Sequence, residues 1–209
     1  MIVIGGLYTV PRRVGTVAVY TDPRTGPNMN VLDIVVLAFW LMLPAYVPNN
    51  AAVLTGGGPP IDGGRTWNGK RLLGDGKTWR GTAGGILAGV GLGLVLNAIV
   101  TDVSGAIGVS LPEFPIAALL ALAAGAMLGD ILASFLKRRT GRERGAAFPG
   151  IDQLDFVAVS LAVTVVVATD WFVEWFTVPV IVAVLILTPV LHLGTNAAAF
   201  KLGLKDEPW

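Results

Sequence analysis

The chain of 209 residues contains no cysteine and a single histidine, and only 14% of its residues are charged. Without cysteine there is no disulfide framework, no iron–sulfur site and no thiol nucleophile. A charge content well below the roughly 25% of soluble domains, with 54% hydrophobic residues and a mean hydropathy of +0.70, places the chain in the membrane class. A net charge of +1 points to no nucleic-acid partner. Residues 1–28 lack a sustained apolar run of the kind a cleavable signal carries, and Pro11, Pro23 and Pro27 break any long helix there. They read either as a tail or as an upstream extension of a chain that starts at Met29, leaving residues 29–209 as one membrane-embedded domain.

What is present is long apolar runs. Five segments approach the roughly 20 residues of a spanning helix: about 31–53, 81–100, 115–136, 153–170 and 178–200. The expected fold is therefore all-α, an integral membrane protein of about five transmembrane helices with two charged loops on one face. An odd number of spans puts the termini on opposite sides. Lysine and arginine set the orientation. Arg65, Lys70, Arg71, Lys77 and Arg80 lie between spans one and two, and Lys137, Arg138, Arg139, Arg142 and Arg144 between three and four. Lys201 and Lys205 follow span five. The opposite connections, 101–114 and 171–177, hold acids (Asp102, Glu113, Glu174) and no Lys or Arg. The basic face is expected to be cytoplasmic, with the N-terminus outside and the C-terminus inside. Arg12, Arg13 and Arg24 run against this rule and single out residues 1–28 once more. Gly81, Gly85, Gly89 and Gly93 recur every four residues along span two, and Ala121, Gly125 and Gly129 along span three. Small residues at that spacing let helices approach closely in lipid.

Polar chemistry is confined to the two basic loops. The run GDGKT at 74–78 ends like a phosphate-binding loop, but Arg71 stands where that motif needs its first glycine. The motif is therefore absent. The shared physics remains: glycine exposes backbone N–H groups, Lys77 and Arg80 supply cation, and a helix N-terminus follows. An irregular loop obeying the positive-inside rule is the plainer alternative. Asp130 and Ser134 share a face near the basic end of span three. A carboxylate inside the membrane boundary is a functional candidate. Asp152 and Asp155 open span four, as helix caps or as oxygen ligands for a hard cation such as Mg²⁺. His192, Asn97 and Asn196 read as inter-helix hydrogen-bonding groups, with a proton relay as the alternative for His192. Tyr46, Trp171 and Trp175 fit an interfacial aromatic belt.

The run GDILASFLKR at 129–138, followed by Pro149–Gly150 and the Asp152–Asp155 step, resembles the signature of membrane CDP-diacylglycerol synthases. PPIDGG at 59–64 and LGDGKTWRG at 73–81 resemble the archaeal branch of that superfamily, the CDP-archaeol synthases. The likeness extends from Met29 to the C-terminus. It departs from the bacterial pattern in three places. The Lys–Asp step is missing or stands as Glu143–Arg144, the Gly-His-Gly-Gly is absent, and Gln153 occupies a place where arginine is usual.

The resemblance implies a Mg²⁺-dependent cytidylyltransferase acting on CTP and a membrane lipid phosphate, at the cytoplasmic face of the cell membrane. It implies catalytic roles for Asp130, Asp152, Asp155 and Lys137. It implies phosphate binding by Asp62, Arg71, Asp75, Gly76, Lys77, Thr78, Arg80, Ser134, Arg138 and Arg139. Asp130, Asp152 and Asp155 would hold the metal, with Asp75 as a further candidate and Glu143 behind it. A CTP-dependent polyprenol kinase and a small transporter are the alternatives.

Overall fold

A computed structural model describes residues 29–141 and 151–201, without the side chains of 151–153, 196, 198 and 199. The expectations for residues 1–28, for Arg142, Glu143, Arg144, Pro149, Gly150 and Lys205, and for the side chains of Asp152, Gln153 and Asn196 lie outside the described residues.

Helix α1 (Val31–Thr55) starts at a capping box. Asn30 Oδ1 accepts from Asp33 N–H at 3.0 Å, and Asp33 Oδ2 accepts from Asn30 N–H at 3.1 Å. Pro44 and Pro48 lie inside α1. Proline at 48 has no N–H to give, which releases the carbonyl of Pro44 from its helical bond. Helices α2 (Trp79–Ile107) and α3 (Ile116–Arg139) follow, with the two-residue strands β1 (Thr66–Trp67) and β2 (Lys70–Arg71) between α1 and α2. Helices α4 (Ile151–Val167), α5 (Thr169–Trp175) and α6 (Val178–Lys201) complete the described chain. Among the described residues, α1, α2, α3 and Val178–Thr195 of α6 are long and apolar enough to cross a membrane, and Leu154–Val167 of α4 is a shorter apolar helix. The all-α membrane architecture read from the sequence is thus what the chain adopts.

The fourth segment differs in its end. It was expected to run to about residue 170. Instead α4 stops at Val167, Ala168 leaves helical geometry (φ −135°, ψ 53°), and the short α5 sets off anew. The turn brings the indole N–H of Trp171 to the Glu113 carbonyl at 2.9 Å.

Both small-residue ladders are packing seams. Gly89 lies against the carbonyl that Pro48 releases: a Cβ there would sit 2.5 Å from Pro44 O. Gly85 faces Pro48 O and Met127, and Gly93 faces the side chain of Leu119, so α2 is wedged between α1 and α3. On α3, Gly125 lies against the Ser160 backbone and Gly129 against Asp155 and Phe156, which brings α4 close to α3. Ser160 Oγ donates to Leu122 O at 3.0 Å across this seam. Tyr46 is not a belt residue. Its hydroxyl is 2.8 Å from Thr188 Oγ1 on α6 and its ring meets Phe156 edge-on, because a phenol carried into the bundle needs a polar partner there. Asn97 does bridge segments: it accepts from Phe114 N–H and donates to Phe114 O, both at 2.8 Å.

Candidate active site at the basic end of the bundle

The loop between α1 and α2 is organised around one buried carboxylate. The Asp62 side chain is 1% exposed. Its Oδ1 accepts from Arg71 Nη2 at 2.9 Å and from Gly64 N–H at 3.0 Å. Its Oδ2 accepts from Arg71 Nε at 3.3 Å, Leu73 N–H at 3.0 Å and Gly74 N–H at 3.3 Å. The Arg71 guanidinium, against the opposing cost of burial and with help from the three backbone donors, holds the Asp62 carboxyl far below the usual carboxylate range. The same contact, with Asp75 Oδ1 at 2.6 Å from Arg71 Nη1, raises the Arg71 pKa.

Arg71 belongs to a β-hairpin that the sequence reading treated as irregular loop. Thr66 and Trp67 pair antiparallel with Arg71 and Lys70. The connecting Asn68 and Gly69 have φ of 52° and 74°, the left-handed pair that an Asn-Gly turn supplies. The Asn-Gly of TWNGKR was the available signal.

The C-terminal turn of α3 holds this hairpin. Arg139 Nη1 donates to Trp67 O at 2.9 Å, and Nη2 donates to Lys70 O at 3.2 Å and Arg71 O at 2.8 Å. Its guanidinium also stacks on the rings of Trp67 (5.2 Å) and Phe135 (5.5 Å). One residue earlier, Arg138 Nε donates to Leu73 O at 3.4 Å. Gly74, with φ of 109°, lies under the Arg138 guanidinium, which a Cβ would meet at 3.2 Å.

The GDGKT run then turns into α2. Ile61 N–H donates to Lys77 O at 2.8 Å, and Thr78, buried, caps the helix by accepting from Gly81 N–H at 3.1 Å. Lys77 reaches across to α3, where its Nζ is 2.5 Å from Asp130 Oδ2. Gly76, Asp75 and Arg80 are exposed around it. Ser134 and Lys137 are half-buried on α3, one and two turns beyond Asp130. Asp155 lies where α4 crosses α3: its carbonyl oxygen is the one a Cβ on Gly129, next to Asp130, would meet at 2.7 Å. Asp155 Oδ1 accepts from Phe156 N–H at 2.6 Å.

The residues proposed from sequence therefore divide. Asp62, Arg71 and Arg139 spend their polar atoms inside the loop. Thr78 is a helix cap. Lys77 and Asp130 pair where the loop meets α3, the Asp155 backbone lies on the turn of α4 packed against Gly129, and Arg80 and Asp75 are exposed nearby. Among the described residues no three His, Cys, Asp or Glu side chains form a ready metal cluster. Two carboxylates at one helix crossing do suit Mg²⁺, which takes one or two carboxylates and completes its shell with water and substrate phosphates.

Comparison with known proteins agrees with this architecture. A protein-family model described as "CarS-like: CDP-archaeol synthase" matches residues 31–209. The CDP-archaeol synthase of Natronomonas pharaonis is 64% identical over 190 residues, covering 86% of this chain and all of that protein. That of Halorubrum lacusprofundi is 67% identical over 177 residues, covering 85% and 98%. That of Archaeoglobus fulgidus is 49% identical over 183 residues, covering 86% and 100%. A solved structure, described as an intramembrane enzyme for archaeal membrane lipid biosynthesis, superposes with a TM-score of 0.63 at 37% identity, covering 78% of this chain and 94% of that one. On this match of sequence along nearly the whole chain, and of fold, the chain belongs to the CDP-archaeol synthase family, enzymes of the cytidylyltransferase type that act in archaeal lipid biosynthesis.

Proposed function

We propose that the chain transfers CMP from CTP to the unsaturated ether-lipid phosphate 2,3-bis-O-(geranylgeranyl)-sn-glycerol 1-phosphate, forming CDP-archaeol and pyrophosphate with Mg²⁺ as cofactor. A lipid phosphate oxygen attacks the α-phosphorus of CTP. The new P–O bond forms as the bond to the β-phosphate bridge breaks, and pyrophosphate leaves with that electron pair. The nucleophile is already anionic at neutral pH, so the step needs no general base. That suits a chain with no cysteine and one histidine, which sits on α6.

The observation that carries the reading is the Lys77–Asp130 pair, which joins the basic α1–α2 loop to α3 at one end of an apolar bundle. Only there does a soluble nucleotide reach a head group held in the bilayer. Lys77 and the exposed Arg80 at the start of α2 supply positive charge to phosphate oxygens, and the N-terminus of α2 adds its dipole. Lys137 and Arg138 supply charge from the α3 side. Asp130, Asp155 and Asp152 are the residues that would hold Mg²⁺, with Asp75 as a further candidate. When bound, the ion would neutralise the charge of the triphosphate. Phosphate positioning is then the main task left to the protein.

The basic end faces the cytoplasm in this reading. Cysteine introduced at Lys70 is then labelled only from inside, and at Ala106 from outside; the reverse pattern rejects the orientation. For the reaction, purified protein in detergent is given Mg²⁺, each nucleoside triphosphate in turn and the lipid phosphate. The expected products are pyrophosphate and CMP-linked lipid, from CTP only. With the lipid alcohol in place of its phosphate, release of CDP with a newly phosphorylated lipid would instead identify a lipid kinase.

A further inference from the structure

Arg139 carries a cation in the last turn of α3, and by charge alone it belongs with the phosphate-binding residues. Its surroundings give it other work. The carbonyl oxygens of Trp67, Lys70 and Arg71 converge on its two terminal nitrogens. Its Cζ lies 5.2 Å from the Trp67 ring and 5.5 Å from the Phe135 ring, which adjoin each other on one side of it. Its Nε is buried without a hydrogen-bond partner among the described residues. A guanidinium whose two terminal nitrogens already donate to three carbonyls has fewer N–H groups left for a phosphate. What it holds is specific: both strands of the hairpin, one of them through the carbonyl of Arg71, whose side chain in turn fixes Asp62 and Asp75. Asp62 takes the N–H groups of Leu73 and Gly74, three residues before Lys77.

We infer that Arg139 is a positioning residue: it pins the hairpin to the end of α3 and thereby sets the placement of Lys77 against Asp130 and the reacting phosphates. Lysine cannot replace it. An ammonium on a flexible stem keeps the charge but lacks the planar fork that donates to both strands and lies against the Trp67 and Phe135 rings. This rests on the proposed CTP reaction only for its kinetic consequence; the grip itself is a property of the loop.

The test uses the natural absence of cysteine. Thr66→Cys, at an exposed hairpin position outside the site, carries a nitroxide label in purified protein. Its line shape is compared in the Arg139 parent, Arg139→Lys, Arg139→Ala and Trp67→Leu, beside CMP transfer kinetics. The expected result is a mobile label in both Arg139 variants, with kcat reduced about 10²-fold, the size of loss that a misplacement of about 1 Å produces, and the CTP KM little changed. Trp67→Leu, which removes one ring and no hydrogen bond, should loosen the label and lower kcat by less. If Arg139→Ala does not fold, Arg139→Lys and Trp67→Leu decide. An unchanged line shape in Arg139→Lys with only a raised CTP KM makes Arg139 a phosphate ligand and overturns the inference. So does a mobile label with full kcat. Failure of the unsubstituted protein to transfer CMP rejects the proposed reaction instead, and the line shapes still decide whether Arg139 grips the hairpin.

Discussion

At the basic end of the bundle, Arg71, Arg139 and Lys77 tie segments together through ionised partners and convergent carbonyls. At the other end the ties are neutral. The Trp40 indole donates to Pro112 O at 3.0 Å and the Trp171 indole to Glu113 O at 2.9 Å, while Asn97 closes on Phe114. Phe114 and Trp171 then stack with Trp40 and Phe176. Among the described residues both ends tie their segments with polar contacts, but only one does so with charge. Charged contacts can be exchanged for a triphosphate and a cation at modest cost, since the partner groups remain paired. An indole bonded to a backbone carbonyl gains nothing by letting go. In the proposed reaction the charged end accepts ions, while the neutral end closes the bundle.

Breaking the charged end should show first in rate. Asp130→Asn and Lys77→Ala are each expected to lower kcat/KM by about 10²–10³, the loss seen when one electrostatic contact to a transition state is removed. Thermal stability should move little, because each partner is near water. Asp155→Asn should follow the same pattern, with partial recovery at high Mg²⁺. Retention of more than about a tenth of the rate in all three would move the chemistry elsewhere.

Gly129→Ala should strike rate and stability together. Its Cβ would lie 2.6 Å from the Phe156 Cα, backbone against backbone, so α4 must shift and carry Asp155 away from Asp130. Overpacking of this kind costs about 1–3 kcal/mol. Gly91→Ala on α2, where nothing lies within 4 Å, is the control and should be neutral in both measurements.

Asp62 sharpens the comparison through pH. Its carboxyl titrates lower in the folded protein than in the unfolded chain, where the value is about 3.9. Its contribution is therefore complete above the unfolded value and is lost as pH falls through the folded one. The hairpin label should stay immobile at pH 5 and begin to loosen only below about pH 4. Asp62→Asn should loosen it at every pH, flatten this acid dependence and cost about 1.5–3 kcal/mol, as for a lost hydrogen bond to a charged group. At the neutral end, Trp171→Phe should cost about 0.5–1.5 kcal/mol and leave kcat unchanged. A rate loss there as large as that of Asp130→Asn would erase the distinction between the two ends.

Much of this was legible in the chain. The hydrophobic segments, the lysine and arginine asymmetry and the two ladders of small residues follow from periodicities that act along one helix at a time. The GDGKT run and Asp130 were visible as polar exceptions in an apolar sequence. The Asn68–Gly69 hairpin was missed, although that dipeptide favours the left-handed pair of torsions whatever lies around it.

The division of labour among like-charged residues was not legible. Arg71, Lys77, Arg138 and Arg139 are all cations in basic loops, and residue type cannot say which are spent on the protein and which are left for substrate. Arg139 meets Trp67 across 72 positions and Lys77 meets Asp130 across 53. Local propensity has no reach over such separations. The sequence by itself determined that the chain spans a membrane, where its helices run and at which end its charge collects, because burial in lipid and helix packing act through composition and spacing. Only the tertiary structure decided that Asp62 is buried among Arg71 and backbone donors, that Arg139 bonds both strands of the hairpin and that Lys77 pairs with Asp130. An ion's role depends on which counter-charges and carbonyls the fold places within about 3 Å of it, the distance over which hydrogen bonds form.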